Sequence, residues 1–253
     1  MADSRRKRRV VAVTGGSRGI GRAIAELFLA RGDRVAVCSR SERAFSFPKG
    51  ILHFQLDASR RDHLRRFTQS VHKRWGGLDV FVNCAGLSLW RPLRKVDETF
   101  VAEMIQTNLL SALWGCAEAA KRLRRGGAIV NISSLAGKRG SANNSVYCAT
   151  KFAVNGITQA LAKELGPRRI RVNAVCPVYV RTRQILRSLA EPSSPADGQG
   201  VASYLKAFAS GQTALGRLPT EQEVAEVVYF LASPAASAIT GQCLNVDCGT
   251  LPQ

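Results

Sequence analysis

Short apolar runs alternate with longer stretches of helical spacing along most of the chain. The first run, Arg9–Thr14, is almost wholly apolar, which is typical of a parallel strand buried on both faces. Apolar residues then recur at helical spacing from Ile20 to Phe28, and Gly32 ends this predicted helix. The further predicted strands are Arg34–Cys38, Leu52–Leu56, Leu78–Val82, Ala128–Ile132, Ile170–Val175 and Gln242–Val246. The further predicted helices are Arg60–Trp75, Glu98–Leu123, Ser145–Leu165 and Glu221–Leu231.

Strands and helices that alternate this regularly predict an α/β fold of the Rossmann-like type. We expect a doubly wound sheet of seven parallel strands with helices on both faces. Ligands bind such sheets at the carboxyl ends of the strands. Residues 9–253 show no internal repeat and no sign of a second domain, so we predict a single domain.

One segment interrupts this alternation between the sixth strand and the last helix. Glu191–Gly200 is rich in Pro, Ser and Gly, and we predict no regular structure there. It lies within the longer connection 183–214, and long connections in compact domains are commonly lids. We therefore predict that residues 183–214 form a substrate lid.

Composition narrows the class of protein. Of the 253 residues, 45% are hydrophobic, which excludes a largely disordered chain. No apolar run reaches the roughly 18 residues that a membrane-spanning helix needs. The 37 basic and 18 acidic residues give a net charge of +19, which predicts attraction to polyanions such as nucleic acid, anionic lipid or phosphorylated small molecules. We interpret residues 1–8, which include most of the basic run Arg5–Arg9, as a solvated tail, with a targeting or nucleic-acid role as the alternative.

The cysteines and histidines do not predict a metal site. The seven cysteines are scattered and form no CxxC pair, and the chain has only three histidines. Free thiols are typical of a reducing compartment. We therefore expect no metal and a cytoplasmic location, with the mitochondrial matrix as the alternative.

A glycine-rich turn, Thr14–Gly21, lies between the first strand and the first helix. Its spacing is Gly-x3-Gly-x-Gly. Glycines in this position let a pyrophosphate approach the N–H groups at the helix N-terminus. The turn therefore predicts dinucleotide binding, although such glycines can also simply shape a loop.

The end of the second strand indicates which dinucleotide is bound. An NAD site usually has an acidic residue there, which accepts from the ribose 2′-hydroxyl. This chain has Arg40 at that place, and Arg18 in the glycine turn adds a second guanidinium. Two arginines suit a 2′-phosphate, so we predict NADP(H); the alternative is that both are ordinary surface bases.

Tyr147 and Lys151 are four residues apart and therefore share one helix face. A phenol with a pKa near 10 is a poor acid–base catalyst at neutral pH, and an ammonium at about 4 Å would lower that pKa. Such a tyrosine can exchange a proton with a carbonyl or alcohol oxygen. Ser134, at the end of the fifth strand, would hydrogen-bond the same oxygen. Taken alone, a Tyr/Lys pair is more often a solvated helix face.

Residues 10–249 resemble the compact, single-domain short-chain dehydrogenase/reductases. The matching elements, in order, are Thr14–Gly21, Asp57, Asn83–Gly86, Asn108, Ser134, Tyr147, Lys151 and Pro177–Thr182. The resemblance implies that Tyr147 is the general acid/base and that Lys151 lowers its pKa and holds the nicotinamide ribose. It also implies that Ser134 polarises the substrate oxygen and that Asn108 anchors a proton-relay water.

The resemblance also implies a set of cofactor contacts. Asp57 would contact the adenine, Asn83–Gly86 would form the floor beside the cofactor, and Val180 and Thr182 would face the carboxamide. The implied cofactor-binding residues are Gly15, Ser17, Arg18, Gly19, Ile20, Gly21, Arg40, Asp57, Asn83, Ala85, Gly86, Tyr147, Lys151, Pro177, Val180 and Thr182. A homotetramer built through the helices Glu98–Leu123 and Ser145–Leu165 is implied as well.

Three positions depart from the family pattern. Cys84 stands where a second asparagine is common, and Cys248 replaces a frequent glycine near the C-terminus. Val178 follows Pro177 where glycine is usual, which restricts the backbone beside the nicotinamide. We expect Val178 to border the cleft and to affect substrate shape.

Within the family, the chain is most similar to the 3-oxoacyl-(acyl carrier protein) reductase and ketoreductase branch, notably at Val172–Pro177 and Ile239–Gln242. This implies an NADPH-dependent reductase of a carbonyl, such as a 3-oxoacyl thioester of acyl carrier protein or coenzyme A or a polyketide-like ketone. A basic surface would suit an acidic carrier. The alternative is an NAD(P)-dependent dehydrogenase of sugars, polyols or secondary alcohols. Nucleic acid is not an expected partner, because the arginines are dispersed and no aromatic–basic interleaving marks a stacking groove.

Overall fold

The computed structural model describes residues 8–40 and 47–252. Within them, seven strands form one parallel sheet in the order β3-β2-β1-β4-β5-β6-β7. The strands are β1 (Val10–Thr14), β2 (Arg34–Ser39), β3 (Ile51–Gln55), β4 (Leu78–Asn83), β5 (Leu123–Ile132), β6 (Arg171–Pro177) and β7 (Cys243–Val246). The predicted seven-stranded parallel sheet is confirmed. Of the predicted basic tail, residues 1–7 lie outside the described residues.

Helices cover both faces of this sheet. They are α1 (Gly19–Ala30), α2 (Arg61–Trp75), α3 (Glu98–Met104), α4 (Ser111–Ala120), α5 (Ser145–Leu165), α6 (Arg183–Leu189), α7 (Val201–Gln212) and α8 (Glu221–Leu231). Apolar residues of α1 and α8 form one core with the sheet, and those of α2, α4 and α5 form a second core on the opposite face. The predicted Rossmann-like, doubly wound arrangement is therefore confirmed. None of the helices in the described part of the chain is both long and apolar enough to cross a bilayer.

The helix predicted for Glu98–Leu123 differs from the observed structure. A π-helical segment, Ile105–Leu110, separates α3 from α4, and α4 ends at Ala120. β5 begins at Leu123, five residues earlier than predicted, because Leu123 pairs with Leu78 before a shift in register. The spacing of apolar residues does not reveal a register shift or a π-helical segment, because the pattern of apolar and polar residues is nearly the same with or without them.

The connection 183–214 contains two helices that the sequence analysis did not predict, α6 and α7. Thr182 caps α6, because its Oγ1 accepts a hydrogen bond from the Ile185 N–H at 3.2 Å. Leu189 and Leu205 are buried in a small apolar cluster with Trp90. Glu191–Gly200, between the two helices, lacks regular structure, as predicted. The connection is thus a packed helical layer over the carboxyl ends of the strands.

Candidate active site

A cavity of about 530 Å³ lies at the carboxyl ends of the central strands. Sixteen of the eighteen predicted site residues line it, and the two that do not are Asn83 and Asn108. Those that do are Gly15, Ser17, Arg18, Gly19, Ile20, Gly21, Arg40, Asp57, Ala85, Gly86, Ser134, Tyr147, Lys151, Pro177, Val180 and Thr182. The fold therefore brings the glycine turn and the Ser/Tyr/Lys group to one chamber.

The glycine turn is held against the end of β2. The N–H groups of Gly15 and Gly16 point at the carbonyl oxygen of Cys38, at 2.9 and 3.3 Å. A Cβ atom on Gly21 would collide with the carbonyl oxygen of Gly15, and one on Gly19 would lie 3.0 Å from the Thr182 methyl. The N-cap residue of α1 is Arg18, and its side chain accepts no hydrogen bond from the helix. The first N–H groups of α1 are therefore available to an anion. This cradle fits the phosphates of a dinucleotide.

The end of β2 presents basic and neutral polar groups to the cavity. Arg40 and Arg18 are both exposed and both line it. The Arg18 guanidinium donates to Gln184 Oε1 at 3.5 Å, which links the glycine turn to α6. Asp57, after β3, receives the Ser59 N–H on Oδ1 at 2.9 Å. The carboxylate of Asp57 therefore shapes its own turn as well as lining the cavity.

Asn83 lies beneath the cavity floor, not in its lining. Its side-chain amide donates to Asn131 Oδ1 at 2.8 Å and to Cys116 Sγ at 3.3 Å, so it is directed toward α4. The predicted contact of Asn83 with the cofactor remains a prediction, and the side-chain amide does not face the cavity. Thr14 instead holds the floor, because its Oγ1 accepts from the N–H groups of Cys84 and Ala85 at 3.0 and 3.1 Å.

Asn108 also lies behind the cavity wall. Its Oδ1 accepts from the Leu87 N–H at 2.8 Å, and its Nδ2 donates to the Leu87 carbonyl oxygen at 2.9 Å. This paired contact fixes the segment after β4, and the π-helical segment places Asn108 to make it. The side chain therefore acts on the site by positioning, and its predicted role in anchoring a water remains a prediction.

Lys151 is anchored on the far wall of the cavity. Its Nζ donates to the carbonyl oxygen of Ile132 at 2.9 Å and lies 5.7 Å from the centre of the Tyr147 ring. Lys151 is only 5% exposed. Burial lowers the pKa of Lys151 to about 8, because the charged amine loses hydration.

The pKa of Tyr147 is raised, mainly by burial of the phenol, and hydrogen bonds from Ser134 and Ser88 oppose that rise. The direction is opposite to the one expected from Lys151. The reason is that loss of hydration outweighs the favourable interactions of the phenolate. Ser88 is a cavity residue that the sequence analysis missed; only its place two residues after Gly86 could have drawn attention to it.

The remaining wall of the cavity is largely aromatic. Trp90, Tyr179 and Phe208 line it, and none of them was singled out from the sequence. Arg139, after β5, also lines it and was missed for the same reason: no motif surrounds it. Val178 borders the cavity, as expected from its place after Pro177.

A Rossmann-like sheet with a glycine turn and a Ser/Tyr/Lys group at one cavity defines a dinucleotide-dependent oxidoreductase. A family model described as enoyl-(acyl carrier protein) reductase matches residues 15–250. The chain belongs to the short-chain dehydrogenase/reductase family, whose members use a nicotinamide cofactor. The resemblance seen in the sequence is thereby confirmed.

Curated relatives match over nearly the whole chain. A 3-oxoacyl-[acyl-carrier-protein] reductase, FabG, of Chlamydia muridarum is 36% identical over 248 residues, which cover 94% of this chain and 95% of the relative. A diacetyl reductase ((S)-acetoin forming) of Staphylococcus aureus is 35% identical over 252 residues, which cover 95% of this chain and 97% of the relative.

Solved structures share the fold. The ligand-free aldohexose dehydrogenase of Thermoplasma acidophilum superposes with a TM-score of 0.87 at 31% identity, covering 97% of this chain and 98% of that one. ElxO with NADP bound superposes with a TM-score of 0.85 at 31% identity, covering 98% of this chain and all of that one. The two reductases and the aldohexose dehydrogenase are all named as oxidoreductases, and their names give different substrates.

Proposed function

We propose that this protein is an NADPH-dependent reductase that transfers hydride between the nicotinamide and a carbonyl or secondary alcohol. The proposed substrates are 3-oxoacyl thioesters of acyl carrier protein or coenzyme A and polyketide-like ketones. The observation that carries the proposal is that Ser134, Tyr147 and Lys151 line the same cavity as the glycine turn. The similarity to a 3-oxoacyl reductase and to a diacetyl reductase, both named for carbonyl reduction, supports it.

Tyr147, Ser134 and Lys151 would each have a separate role in carbonyl reduction. When bound, the cofactor supplies the hydride. The raised pKa of Tyr147 keeps the phenol protonated at neutral pH, so it is ready to give a proton to the carbonyl oxygen. Ser134 donates a hydrogen bond to the same oxygen as negative charge develops there. Lys151, held by the Ile132 carbonyl, would bind the nicotinamide ribose and carry a positive charge beside the phenol.

NADP(H) is the proposed cofactor because of Arg40 and Arg18. Both guanidinium groups border the cavity at the end of β2, where an NAD site usually has an acid. Neither forms an ion pair with an acidic side chain among residues 8–40 and 47–252. A 2′-phosphate would supply the missing anion. The structural similarity to ElxO with NADP bound agrees with this choice.

Three further proposals concern the surroundings of the site. Residues 183–214 serve as the substrate lid, since Gln184, Ile185 and Phe208 reach the cavity. A homotetramer through α3–α5 is supported by the exposed apolar side chains of Ile105 and Phe152. A cytoplasmic location is supported by the free thiols of all seven cysteines.

A screen of NADPH oxidation tests this function. The substrates are 3-oxoacyl thioesters, diketones, quinones and sugars, each measured with NADPH and with NADH. We expect turnover of 3-oxoacyl thioesters or diketones with NADPH in preference to NADH. Failure of every carbonyl compound at saturating NADPH would remove the proposal.

A second candidate is a dehydrogenase of sugars, polyols or secondary alcohols. The similarity to the aldohexose dehydrogenase of Thermoplasma acidophilum favours it. The same Ser/Tyr/Lys group would then act in the oxidative direction. Sugar-dependent reduction of NADP⁺ or NAD⁺, faster than any carbonyl reduction, would establish this alternative.

A further inference from the structure

A second cavity of about 340 Å³ adjoins the first, and we call it the side chamber. Its lining includes Trp90, Arg139, Asn143, Tyr179, Tyr204 and Phe208. Four of these residues, Trp90, Arg139, Tyr179 and Phe208, line the main cavity as well. The side chamber therefore lies against the cavity that Tyr147 lines, on the side of these shared residues.

The side chamber has an aromatic wall. The ring of Tyr179 packs edge-on against Phe208, with centroids 4.9 Å apart, and against Tyr204, with centroids 5.8 Å apart. The hydroxyl groups of Tyr179 and Tyr204 lie 3.1 Å apart and hydrogen-bond each other. Burial raises the pKa of Tyr179, so the phenol of Tyr179 stays uncharged across the physiological range. Trp90 is only 4% exposed and completes the wall.

Hydrogen bonds between loops hold the side chamber open in one shape. The Arg91 N–H donates to the carbonyl oxygen of Asn143 at 2.6 Å, which joins the segment after β4 to the segment before α5. The Asn143 side chain donates to the carbonyl oxygen of Ser193 at 3.4 Å, which reaches the 183–214 connection. A pocket fixed in this way binds rigid groups without an added ordering cost.

Arg139 is the charged group of the side chamber. It is half-buried, and its guanidinium makes no hydrogen bond or ion pair with any residue that the structure describes. A guanidinium has five N–H donors, arranged so that two of them can bind one carboxylate. Partial burial of its charge costs free energy unless an anion pairs with it. An anionic oxygen group of the substrate would satisfy it.

The volume and the wall together indicate the size and nature of the group that fits. A cavity of about 150 Å³ already admits benzene, so the side chamber has room for one ring or two fused rings. Aromatic walls favour a planar ring through edge-to-face contacts worth about 1 kcal/mol beyond area burial. A saturated chain gains no such contact.

We propose that the side chamber selects ketones that bear an aromatic ring next to the reacting carbonyl and a carboxylate that pairs with Arg139. This inference rests on the proposed function, because it takes Tyr147 as the proton donor to that carbonyl. Among the carbonyl compounds that the proposed function covers, it adds aryl keto acids to the 3-oxoacyl thioesters and polyketide-like ketones named above.

Three matched ketones test the selection with the unaltered enzyme and NADPH. They are 4-oxo-4-phenylbutanoate, its methyl ester and 4-cyclohexyl-4-oxobutanoate. We expect kcat/KM for the acid to exceed that for the ester about tenfold, since a charge-assisted hydrogen bond is lost in the ester. We expect the phenyl acid to exceed the cyclohexyl acid about fivefold.

Substitution of Arg139 distinguishes a direct contact with the carboxylate from a nonspecific effect of positive charge near the site. Arg139→Gln should raise KM for the acid about tenfold with little change in kcat, and should leave the ester within about twofold. Lys138→Gln is the matched control, because it removes the same charge one residue away, outside both cavities. Phe208→Leu should reduce the preference for phenyl over cyclohexyl. Equal turnover of acid and ester by the unaltered enzyme, or equal effects of Arg139→Gln and Lys138→Gln, would overturn the inference.

Two readouts keep this test separate from the proposed function. Diacetyl reduction with NADPH reports carbonyl reductase activity without the side chamber. Calorimetric titration of 4-oxo-4-phenylbutanoate reports binding without turnover. Binding that Arg139→Gln abolishes, in a protein that reduces no ketone, would support the side chamber and contradict the proposed function. Diacetyl reduction without binding of the keto acid would support the proposed function and contradict the inference.

Discussion

The Nζ of Lys151 donates a hydrogen bond to the carbonyl oxygen of Ile132 at 2.9 Å. This bond joins the first turns of α5 to the last residue of β5. It fixes the one buried cation of the Ser/Tyr/Lys group beside the segment that carries Ser134. The orientation of Lys151 is therefore set by the protein itself, and its charge depends on pH.

Binding of NADPH should weaken as the pH passes through about 8. Burial lowers the pKa of Lys151 to about 8, so its ammonium is present below that pH and lost above it. If Lys151 holds the ribose as an ammonium, the Kd for NADPH should be constant near pH 6 to ~7 and rise above about 8. Lys151→Arg keeps its charge and should show no such rise. Fluorescence titration over this range checks the prediction, and superimposable pH profiles of the two proteins would contradict it.

Loss of the Ser88 hydroxyl should move the pH dependence of alcohol oxidation to higher pH. Hydrogen bonds from Ser88 and Ser134 lower the pKa of Tyr147 against the effect of burial. Ser88→Ala removes one of them, so the phenolate needed for oxidation forms at higher pH, and the rate near neutral pH falls about fivefold. Ser88→Thr keeps the hydroxyl and should resemble the unaltered protein. A pH–rate profile of Ser88→Ala that matches the unaltered enzyme would show that Ser88 does not act on Tyr147.

Arg40→Asp should shift the cofactor preference toward NADH. The change removes a partner of the proposed 2′-phosphate and adds a carboxylate that accepts from a ribose 2′-hydroxyl. We expect the ratio of kcat/KM for NADPH to that for NADH to fall about 100-fold. Arg34→Asp is the control, because Arg34 is exposed at the opposite end of β2. If both variants keep the original ratio, the phosphate is recognised elsewhere.

Asp33→Ala should destabilise the fold by about 3 kcal/mol, since it leaves Arg9 without its main anionic partner. The Asp33 side chain is 1% exposed, and its Oδ2 lies 2.6 Å from Arg9 Nη2. Glu26→Ala breaks the half-exposed pair of Glu26 with Arg22 and should cost less than about 1 kcal/mol. Urea unfolding followed by circular dichroism gives both values. Equal losses in the two variants would show that burial adds nothing to the Arg9–Asp33 pair.

Strong local patterns made several elements predictable from the sequence. α5 and α8 have the predicted bounds, Ser145–Leu165 and Glu221–Leu231. The start of α8 is marked by a capping box, in which Thr220 and Glu223 exchange side-chain and backbone hydrogen bonds. The glycine turn was also predictable from the sequence. Its glycines are close together in the chain, and the close approach of a phosphate to the helix N-terminus requires them.

Properties that depend on tertiary packing were not predictable. α7 buries Leu205 against Trp90, more than 100 positions away, so no local pattern marks its partner. The direction of the Tyr147 pKa depends on how deeply the phenol is buried, which spacing to Lys151 does not reveal. Asn83 belongs to the family motif Asn83–Gly86. Its side chain nevertheless lies beneath the cavity floor, because it donates hydrogen bonds to Asn131 and Cys116.

The most direct test of the account is the Tyr147→Phe variant, assayed with NADPH and diacetyl and titrated with NADPH. Because a phenylalanine has no proton to give, we predict that kcat falls about 1000-fold while the Kd for NADPH stays within about twofold. Retention of kcat within about tenfold of the unaltered enzyme would contradict the assignment of Tyr147 as the proton donor.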